Sequence, residues 1–231
     1  MKDRGRPFVR VELHVHTIAS KDSLVRPERL IRHCEKIGID WIAITDHNEI
    51  EGAFLAKGLA PDRVIVGEEI ETTQGELIGY FMRERVPPGL TPMAAIARLR
   101  DQGAVISVAH PFDTVRSQHW SEEDLLAIVP EIDAIETFNA RCLSNRPNQV
   151  SAAFARQQGL LETVGSDAHS LWEVGRAALR LPGFTDADSF RHSLARAEQL
   201  TRLSPAFVHL FSRYAAFTKR LRKALAGKRL S

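Results

Sequence analysis

The sequence predicts an α/β fold in which parallel β-strands alternate with α-helices. Three observations support this class. Short apolar runs recur along the chain and end in polar residues, as buried parallel strands do. Amphipathic stripes with helical spacing lie between these runs, and the connections are short. Such units close into a barrel or form an open sheet, and periodicity alone leaves both arrangements open.

The strands are predicted from apolar runs that stop at polar or turn-forming residues. The first run places His14 and His16 two positions apart, and therefore on one face of a strand. A turn at residues 72–75 precedes the fourth run. The predicted strands span residues 9–16, 41–45, 63–67, 75–82, 104–109, 132–138 and 161–165.

The helices are predicted from apolar stripes with boundary residues at their ends. Pro27 suits a first helical turn and Gly38 a helix end. Thr91 and Pro92 form an N-cap and first turn, and Gly103 stops that helix. The predicted helices span residues 27–38, 51–59, 91–103, 121–128, 149–158 and 204–225.

Composition indicates one globular domain. The 231 residues include 44% hydrophobic and 26% charged residues, enough for a substantial core. No apolar run approaches the roughly 20 residues that span a bilayer, and the N-terminus lacks the apolar core of a secretion signal, so we expect a cytoplasmic protein without a membrane span. Cys34 and Cys142 form no metal-binding or disulfide motif. The net charge of +2 does not require a polyanionic partner.

Histidines and carboxylates collect where the predicted strands end. In barrels of this class the carboxyl ends of the strands carry the functional site. We therefore expect these side chains to converge on one mouth, where imidazoles and carboxylates suit divalent metals. The converging candidates are His16, His47, Glu69, His110, Asn139, Asp167 and His169.

The motifs taken together resemble those of the PHP (polymerase and histidinol phosphatase) family of metal-dependent phosphoesterases. The resemblance extends over residues 9–180 and depends on the order of the motifs, because each fragment alone is common. It implies a distorted TIM-like (β/α)7 barrel with a C-terminal amphipathic helix. The motifs are His14-x-His16, Asp22, Thr45-Asp46-His47, Glu69, His110-Pro111 and Gly165-Ser166-Asp167-Ala168-His169.

The resemblance also implies two or three divalent metal ions at the barrel mouth, with Zn, Mn and Fe as the suitable elements. At the position of Glu76 many relatives carry histidine, so Glu76 either supplies an oxygen to the second metal or leaves that metal weakly held. Asp46 either orients a neighbouring imidazole or caps a loop. The implied ligand sets are His14, His16, Glu69 and Asp167 for a first metal, Glu69 and His110 for a second, and Asp22, His47 and His169 for a third.

The implied activity is hydrolysis of a small phosphomonoester, or of a nucleotide or short oligonucleotide phosphate, by metal-activated hydroxide. The alternatives are a histidinol-phosphate phosphatase and a metal-stabilised regulatory module without turnover. Asp167, His169, Arg141 and Asn139 are the candidate catalytic residues. Arg141 lies where the family's substrate-facing loop is expected, and is either a phosphate-binding arginine or a surface residue.

Residues 204–231 are expected to form a basic amphipathic helix appended to a metal-dependent hydrolase domain of residues 1–203. Its apolar face predicts packing against the barrel or a second subunit, which would make a homo-oligomer. The basic residues leave contact with a membrane surface or short nucleic acid open. The apolar face comprises Phe207, Leu210, Phe211, Tyr214, Phe217, Leu221 and Leu225, and the basic residues are Arg213, Lys219, Arg220, Arg222, Lys223, Lys228 and Arg229.

Overall fold

The computed structural model describes residues 7–116 and 118–227. Within these ranges nine strands form one sheet in the order β7-β6-β5-β4-β3-β2-β1-β8-β9. The strands are β1 (Phe8–Glu12), β2 (Trp41–Ile44), β3 (Val64–Glu71), β4 (Glu76–Tyr80), β5 (Val105–Val108), β6 (Ala134–Asn139), β7 (Leu161–Gly165), β8 (Ala177–Pro182) and β9 (Glu198–Thr201). The helices are α1 (Pro27–Ile37), α2 (Glu51–Leu59), α3 (Pro92–Asp101), α4 (Glu122–Ile128), α5 (Arg146–Gln158), α6 (Ala187–Leu194) and α7 (Val208–Gly227).

The sheet closes on itself at one end, which makes it a distorted barrel. Strands β1, β2 and β3 are parallel neighbours, as are β5, β6 and β7. Beyond the ends of β1 and β7, Val15 and Ala168 form a parallel bridge. The backbone N–H of His16 donates to the carbonyl of Ala168 over 2.9 Å. The expected barrel is therefore confirmed, and its closure brings the first and last motifs together.

Strand β4 runs antiparallel to both of its neighbours, β3 and β5, and departs from the expected all-parallel pattern. The reason is the short turn at residues 72–75, in which Thr72 Oγ1 donates to the carbonyl of Gly75 over 2.6 Å. A turn of this length permits only an antiparallel hairpin, because a parallel connection needs about a dozen residues.

Two strands and one helix after β7 were not predicted from the sequence. Strand β8 pairs antiparallel with β1, and β9 pairs with β8 at the edge of the sheet. All four residues of β9 are exposed, so this strand has no apolar pattern to reveal it. Helix α6 is short and begins with a capping box at Asp186 and Ser189.

The boundary residues of the earlier helices act as expected. Gly38 adopts φ 74° at the end of α1, where glycine carries no steric penalty. Thr91 accepts a hydrogen bond from the backbone N–H of Ala94 at the start of α3. Helix α5 begins three residues earlier than predicted, at Arg146, with Pro147 in its first turn. Leu30, Ala53 and other apolar residues of these helices pack with the strands in one continuous core.

Helix α7 docks on the barrel through a different face from the predicted one. Val208 and Ala215 are only 1% and 3% exposed, and they face the barrel with polar neighbours. The residues of the expected apolar face are instead between 41% and 66% exposed. No helix in the described part of the chain is long and apolar enough to cross a membrane. The exposed apolar residues are Phe207, Leu210, Phe211, Tyr214, Phe217, Leu221 and Leu225.

Homo-oligomer formation through α7 stays a prediction. Of the basic residues expected in this segment, Lys228 and Arg229 lie outside the described residues.

Candidate metal centre

Five imidazoles meet at the barrel mouth, beside the Val15–Ala168 bridge that closes the sheet. The ring centroids of His14 and His16 are 5.1 Å apart, so the two-residue spacing presents both rings to one cluster. The ring of His16 lies 4.4 Å from that of His47 and 4.2 Å from that of His169. His110, just after β5, stacks at 5.8 Å from His14. The strand ends therefore converge as the sequence predicts.

The carboxylate of Glu69 lies at the centre of these rings and is fully buried. Its Oε2 atom is 3.3 Å from His14 Nε2 and 3.4 Å from His16 Nε2. The same oxygen lies 2.9 Å from His47 Nδ1, while Oε1 lies 2.9 Å from His110 Nε2. One carboxylate thus contacts four imidazoles, which is the position a bridging ligand would need.

Two aspartates complete the cluster on either side of His16. Asp167 Oδ1 lies 3.1 Å from His16 Nε2, and Asp167 is fully buried. Asp22 Oδ2 lies 3.1 Å from His169 Nε2 and 3.6 Å from His47 Nε2. The loop that follows β1 therefore brings Asp22 to the two histidines with which the family resemblance groups it.

Glu76 at the start of β4 also faces this cluster. Its Oε2 atom lies 3.5 Å from His110 Nε2, and its Oε1 atom lies 3.8 Å from His47 Nδ1. Burial and the nearby charge of Glu69 raise the pKa of Glu76. A cation between Glu69 and Glu76 would relieve their repulsion.

The arrangement of donor atoms fits divalent metal ions. Four sets of three side chains each hold their donor atoms within 4.8 Å of one another. Among the described residues, His14 Nε2, Glu69 Oε2 and Asp22 Oδ1 are buried and have no partner in hydrogen-bonding geometry, although Glu69 Oε2 lies within 3.4 Å of three imidazole nitrogens. Buried polar atoms nearly always have partners, and a metal ion would provide one. The four sets are His16, His47 and His169; His14, His16 and Glu69; His14, His110 and Asp167; and His47, Glu69 and Glu76.

These sets share members, so the structure brings the predicted ligands together as one cluster and does not divide them into three separate sites. The electrostatics of the cluster favour an ionised Glu69. Burial would raise the pKa of Glu69, but His14 and His47 hold it well below its usual range. Burial, with two neighbouring imidazoles, lowers the pKa of His16 to about 3. His16 is therefore neutral at pH 7, the form in which imidazole binds metal.

Two residues of the cluster have a left-handed backbone. His110 adopts φ 26° and Asp167 adopts φ 51°, each just beyond the end of a strand. This conformation is uncommon for residues other than glycine, and it concentrates at functional sites where the surrounding fold imposes it. Here it turns both side chains toward the cluster as soon as their strands end.

Glu136 on β6 supports the cluster from behind, although sequence reasoning did not select it. Its Oε1 atom lies 2.9 Å from His14 Nδ1. Its Oε2 atom accepts hydrogen bonds of 2.9 Å from the backbone N–H of His110 and from Asn139 Nδ2. A carboxylate that holds the far nitrogen of a ligating histidine fixes the ring and its tautomer. A glutamate in the middle of a strand predicted to be buried was the signal that could have revealed it.

The loop after β1 is held by residues that do not face the metal cluster. Ser20 Oγ lies 3.0 Å from His16 Nδ1 and accepts the backbone N–H of His47 over 2.9 Å. Asp46 accepts a hydrogen bond of 2.6 Å from Thr17 Oγ1 and another from the Thr17 backbone. Of the two roles considered for Asp46, the hydrogen bonds show the loop-capping one.

The predicted catalytic residues occupy different layers of the site. Asn139 is 1% exposed, and its Nδ2 atom donates to Asp167 Oδ2 over 3.3 Å as well as to Glu136. Arg141 is 5% exposed, so it is not a surface arginine. Its guanidinium contacts His169 Nδ1 and lies 3.5 Å from Glu173 Oε1. Asn139 thus supports the cluster, while Arg141 reaches its outer edge.

Helix α7 forms one wall of a cavity of about 490 Å³ above the cluster. Arg141 Nη2 donates to Ser212 Oγ over 2.8 Å, and His209 Nε2 donates to the carbonyl of Arg141 over 3.1 Å. Lys219 Nζ donates to the carbonyl of Ile18 over 2.6 Å. These polar contacts were not predicted, because His209 has no motif partner in the sequence.

Arg116 also lines the cavity and extends from the segment after β5. Its Nη2 atom contacts Asp167, and its Nε atom donates to Asp113 Oδ2 over 3.1 Å. The cavity therefore has cationic side chains on its walls and the metal-ligand candidates Asp22, His47 and His169 at its base.

Comparisons with known proteins agree with this geometry. The PHP domain family model matches residues 12–88, and the model of the PHP-associated region matches residues 145–198. An uncharacterised protein of Methanocaldococcus jannaschii is 38% identical over 175 residues, which cover 74% of this chain and 70% of that protein.

Solved structures share the fold. A two-domain protein from Bacteroides vulgatus containing a predicted PHP-like metal-dependent phosphoesterase aligns with a TM-score of 0.69 at 20% identity, over 86% of this chain and 66% of that one. A lesion-specific endonuclease from Pyrococcus furiosus aligns with a TM-score of 0.56 at 13% identity, over 83% of this chain and 57% of that one. This chain thus spans just under two thirds of the first structure and a smaller share of the second.

The motifs, the barrel closure and the histidine–carboxylate cluster lead to the same assignment as the family models and the archaeal relative: the chain belongs to the PHP family.

Proposed function

We propose that this chain is a metal-dependent phosphoesterase that hydrolyses a small phosphomonoester, or the phosphate of a nucleotide or short oligonucleotide. The observation that carries the proposal is the single buried cluster in which four overlapping sets of donor atoms lie beneath an open cavity. Residues that only stabilised the fold would be joined by hydrogen bonds, whereas His14 Nε2, Glu69 Oε2 and Asp22 Oδ1 have no partner in hydrogen-bonding geometry.

The chain's own residues would hold two or three ions and position the ester. His14, His16, Glu69, His110 and Asp167 form the inner part of the proposed ligand set. Bound divalent ions would neutralise the phosphoryl oxygens and lower the pKa of bound water, which is the chemistry this reaction requires. The mixed nitrogen and oxygen donors suit Zn²⁺, Mn²⁺ or Fe²⁺.

The outer part of the ligand set and the cavity walls would hold the substrate. Asp22, His47 and His169 lie at the base of the cavity, next to the guanidinium groups of Arg116 and Arg141. Guanidinium groups bind phosphate oxygens with strong, charge-assisted hydrogen bonds. They would orient the ester and compensate its negative charge.

Metal-dependent turnover tests the proposal. Purified protein loaded with Mn²⁺, Zn²⁺ or Fe²⁺ should release phosphate from at least one of p-nitrophenyl phosphate, nucleoside monophosphates, histidinol phosphate and a 5′-phosphorylated oligonucleotide, and a chelator should abolish the release. His14→Ala should lose metal and activity while its thermal unfolding remains cooperative. His192→Ala, which changes an exposed histidine on α6, is the matched control. Metal binding without release from any of these esters would instead favour a regulatory module.

A further inference from the structure

A second groove lies on the other side of α7 from the cavity above the metal cluster. Its volume is about 320 Å³, and α7 contributes Phe211, Tyr214 and Ala215 to it. The first cavity receives His209 and Arg213 from α7. Positions 209 and 213 lie on one side of a helix and positions 211 and 214 on another, so α7 crosses the barrel mouth and divides it into two openings.

The walls of this second groove carry exposed aromatic rings. Trp172, in the loop between β7 and β8, is 73% exposed, and Tyr214 is 66% exposed. Phe211 is 41% exposed between them on α7. Large aromatic side chains are usually buried, and a group of exposed ones marks a binding surface. Arg29 also lines the groove, and its side chain is exposed.

The groove and the cavity above the metal cluster share one lining residue. His169 lines both the groove and the cavity on the other side of α7, and it lies 3.1 Å from Asp22. Leu24 and Val25, which follow Asp22 in the same loop, form another part of the groove. A ligand in the groove would therefore lie beside His169, a candidate metal ligand.

We propose that the groove lined by Trp172, Phe211 and Tyr214 is a nucleobase subsite, and that the substrate is a nucleotide phosphate or the end of a single-stranded oligonucleotide. The proposal rests on the proposed phosphoesterase function. Every nucleobase has a π face, and stacking on aromatic side chains binds bases with little dependence on sequence. Arg29 adds a cation for a neighbouring phosphate or for the face of the base.

The polarity of the two openings matches the two ends of a nucleotide. The opening with Arg116, Arg141 and His209 carries cationic side chains among apolar ones, and these cations suit the phosphate, whereas the opening with the aromatic rings suits the base. An aliphatic sugar phosphate would leave the aromatic groove empty. Stacking of a base in this groove would therefore distinguish nucleotides from other small phosphomonoesters. The metal cluster alone would not make this distinction.

Two ligands that differ only in the base test the subsite. Adenosine 5′-monophosphate and ribose 5-phosphate are titrated against the full-length protein, with the fluorescence of Trp172 as the binding signal and phosphate release as the activity signal. Trp172 is the exposed one of the three tryptophans, since Trp120 is buried and Trp41 is half-buried. Adenosine 5′-monophosphate should quench the fluorescence, and ribose 5-phosphate should not.

Stacking should give adenosine 5′-monophosphate a KM about 5- to 150-fold below that of ribose 5-phosphate. Trp172→Ala should remove the quenching and most of this preference, and Tyr214→Ala should reduce it. Phe217→Ala is the matched control, because Phe217 is an exposed aromatic residue of α7 that lines neither opening. Circular dichroism establishes that the variants are folded.

Failure of the subsite proposal and failure of the phosphoesterase proposal would give different results. Quenching by adenosine 5′-monophosphate without any turnover would support the subsite and contradict the phosphoesterase proposal. Turnover of both ligands with equal KM and no quenching would contradict the subsite alone. A change of oligomeric state in Trp172→Ala, seen by size-exclusion chromatography, would show that the groove is a contact between copies of the chain and would overturn the proposal.

Discussion

Replacing Glu136 by glutamine tests whether the carboxylate behind the cluster sets its affinity for metal. Glu136 is 2% exposed, and its two oxygens face three groups: His14 Nδ1, the backbone N–H of His110 and the amide of Asn139. Glutamine keeps the shape of the side chain but replaces one acceptor oxygen with an NH₂ group. At least one of the three groups must then lose its acceptor and face a donor.

The size of the effect follows from these contacts. If the amide oxygen accepts from His14, the NH₂ group faces the donors of His110 and Asn139. In the reverse orientation the NH₂ group faces His14 Nδ1, and the hydrogen bond from that nitrogen is lost. A buried donor without an acceptor costs about 1–3 kcal/mol of folding stability. Losing the carboxylate that orients a ligating imidazole typically reduces metal affinity or activity about 10- to 100-fold, equivalent to about 1.4–2.8 kcal/mol.

Competition between the protein and a chromophoric chelator measures the metal affinity of Glu136→Gln directly, and thermal unfolding of the metal-free protein measures its stability. Glu162→Gln is the matched control, because Glu162 lies on the neighbouring strand β7 and contacts Thr137 and Gln199 outside the cluster. Equal metal affinity in Glu136→Gln and the wild type would refute the role assigned to this carboxylate.

Three further predictions concern packing, protons and thiols. Gly165→Ala should weaken metal binding as well as stability, because the added Cβ would lie 2.3 Å from Glu136 Oε1 and 2.3 Å from His14 Cβ. A metal affinity equal to that of the wild type in chelator competition would contradict this. Burial lowers the pKa of His47 but Glu69 raises it, to about 9 in the metal-free site, so metal affinity should rise with pH up to about 9. Calorimetry at pH 7 in buffers of different ionisation enthalpy should therefore show proton release on metal uptake, and no release would exclude a protonated His47. Burial raises the pKa of Cys34 to about 12, so this thiol should react with Ellman's reagent at pH 8 only after unfolding, and rapid reaction of the native protein would count against its buried position.

The inner cluster was predictable because its residues lie in or directly after sequence segments that either alternate clearly between residue types or end clearly at polar residues. His14 and His16 share a face by their spacing, and His47, Glu69 and His110 follow apolar runs that only a buried strand explains. The carboxyl ends of parallel strands meet in space whatever their order in the chain. Local periodicity was therefore enough to place these side chains at one mouth.

The outer parts of the site depend on packing that periodicity does not describe. The apolar stripe of α7 suggested a face for docking, yet Val208, Ser212 and Lys219 lie on the face that meets the barrel. Glu136 was not predicted because its contact with His14 depends on how the barrel closes, and β1 is not a neighbour of β6 in the sheet. The antiparallel direction of β4 was fixed by the length of one turn, a feature that a search for strand–helix alternation overlooks.

The bridge between Val15 and Ala168 joins segments from opposite ends of the domain, and His16 meets Asp167 across a sequence separation of 151 residues. Contacts this distant carry a large loop-closure cost, which slows the closure of the barrel. A nascent chain that stops before β7 would hold four of the five clustered histidines but lack both Asp167 and His169. Tight metal uptake would then report that the barrel has closed, and bound metal would stabilise only the closed barrel.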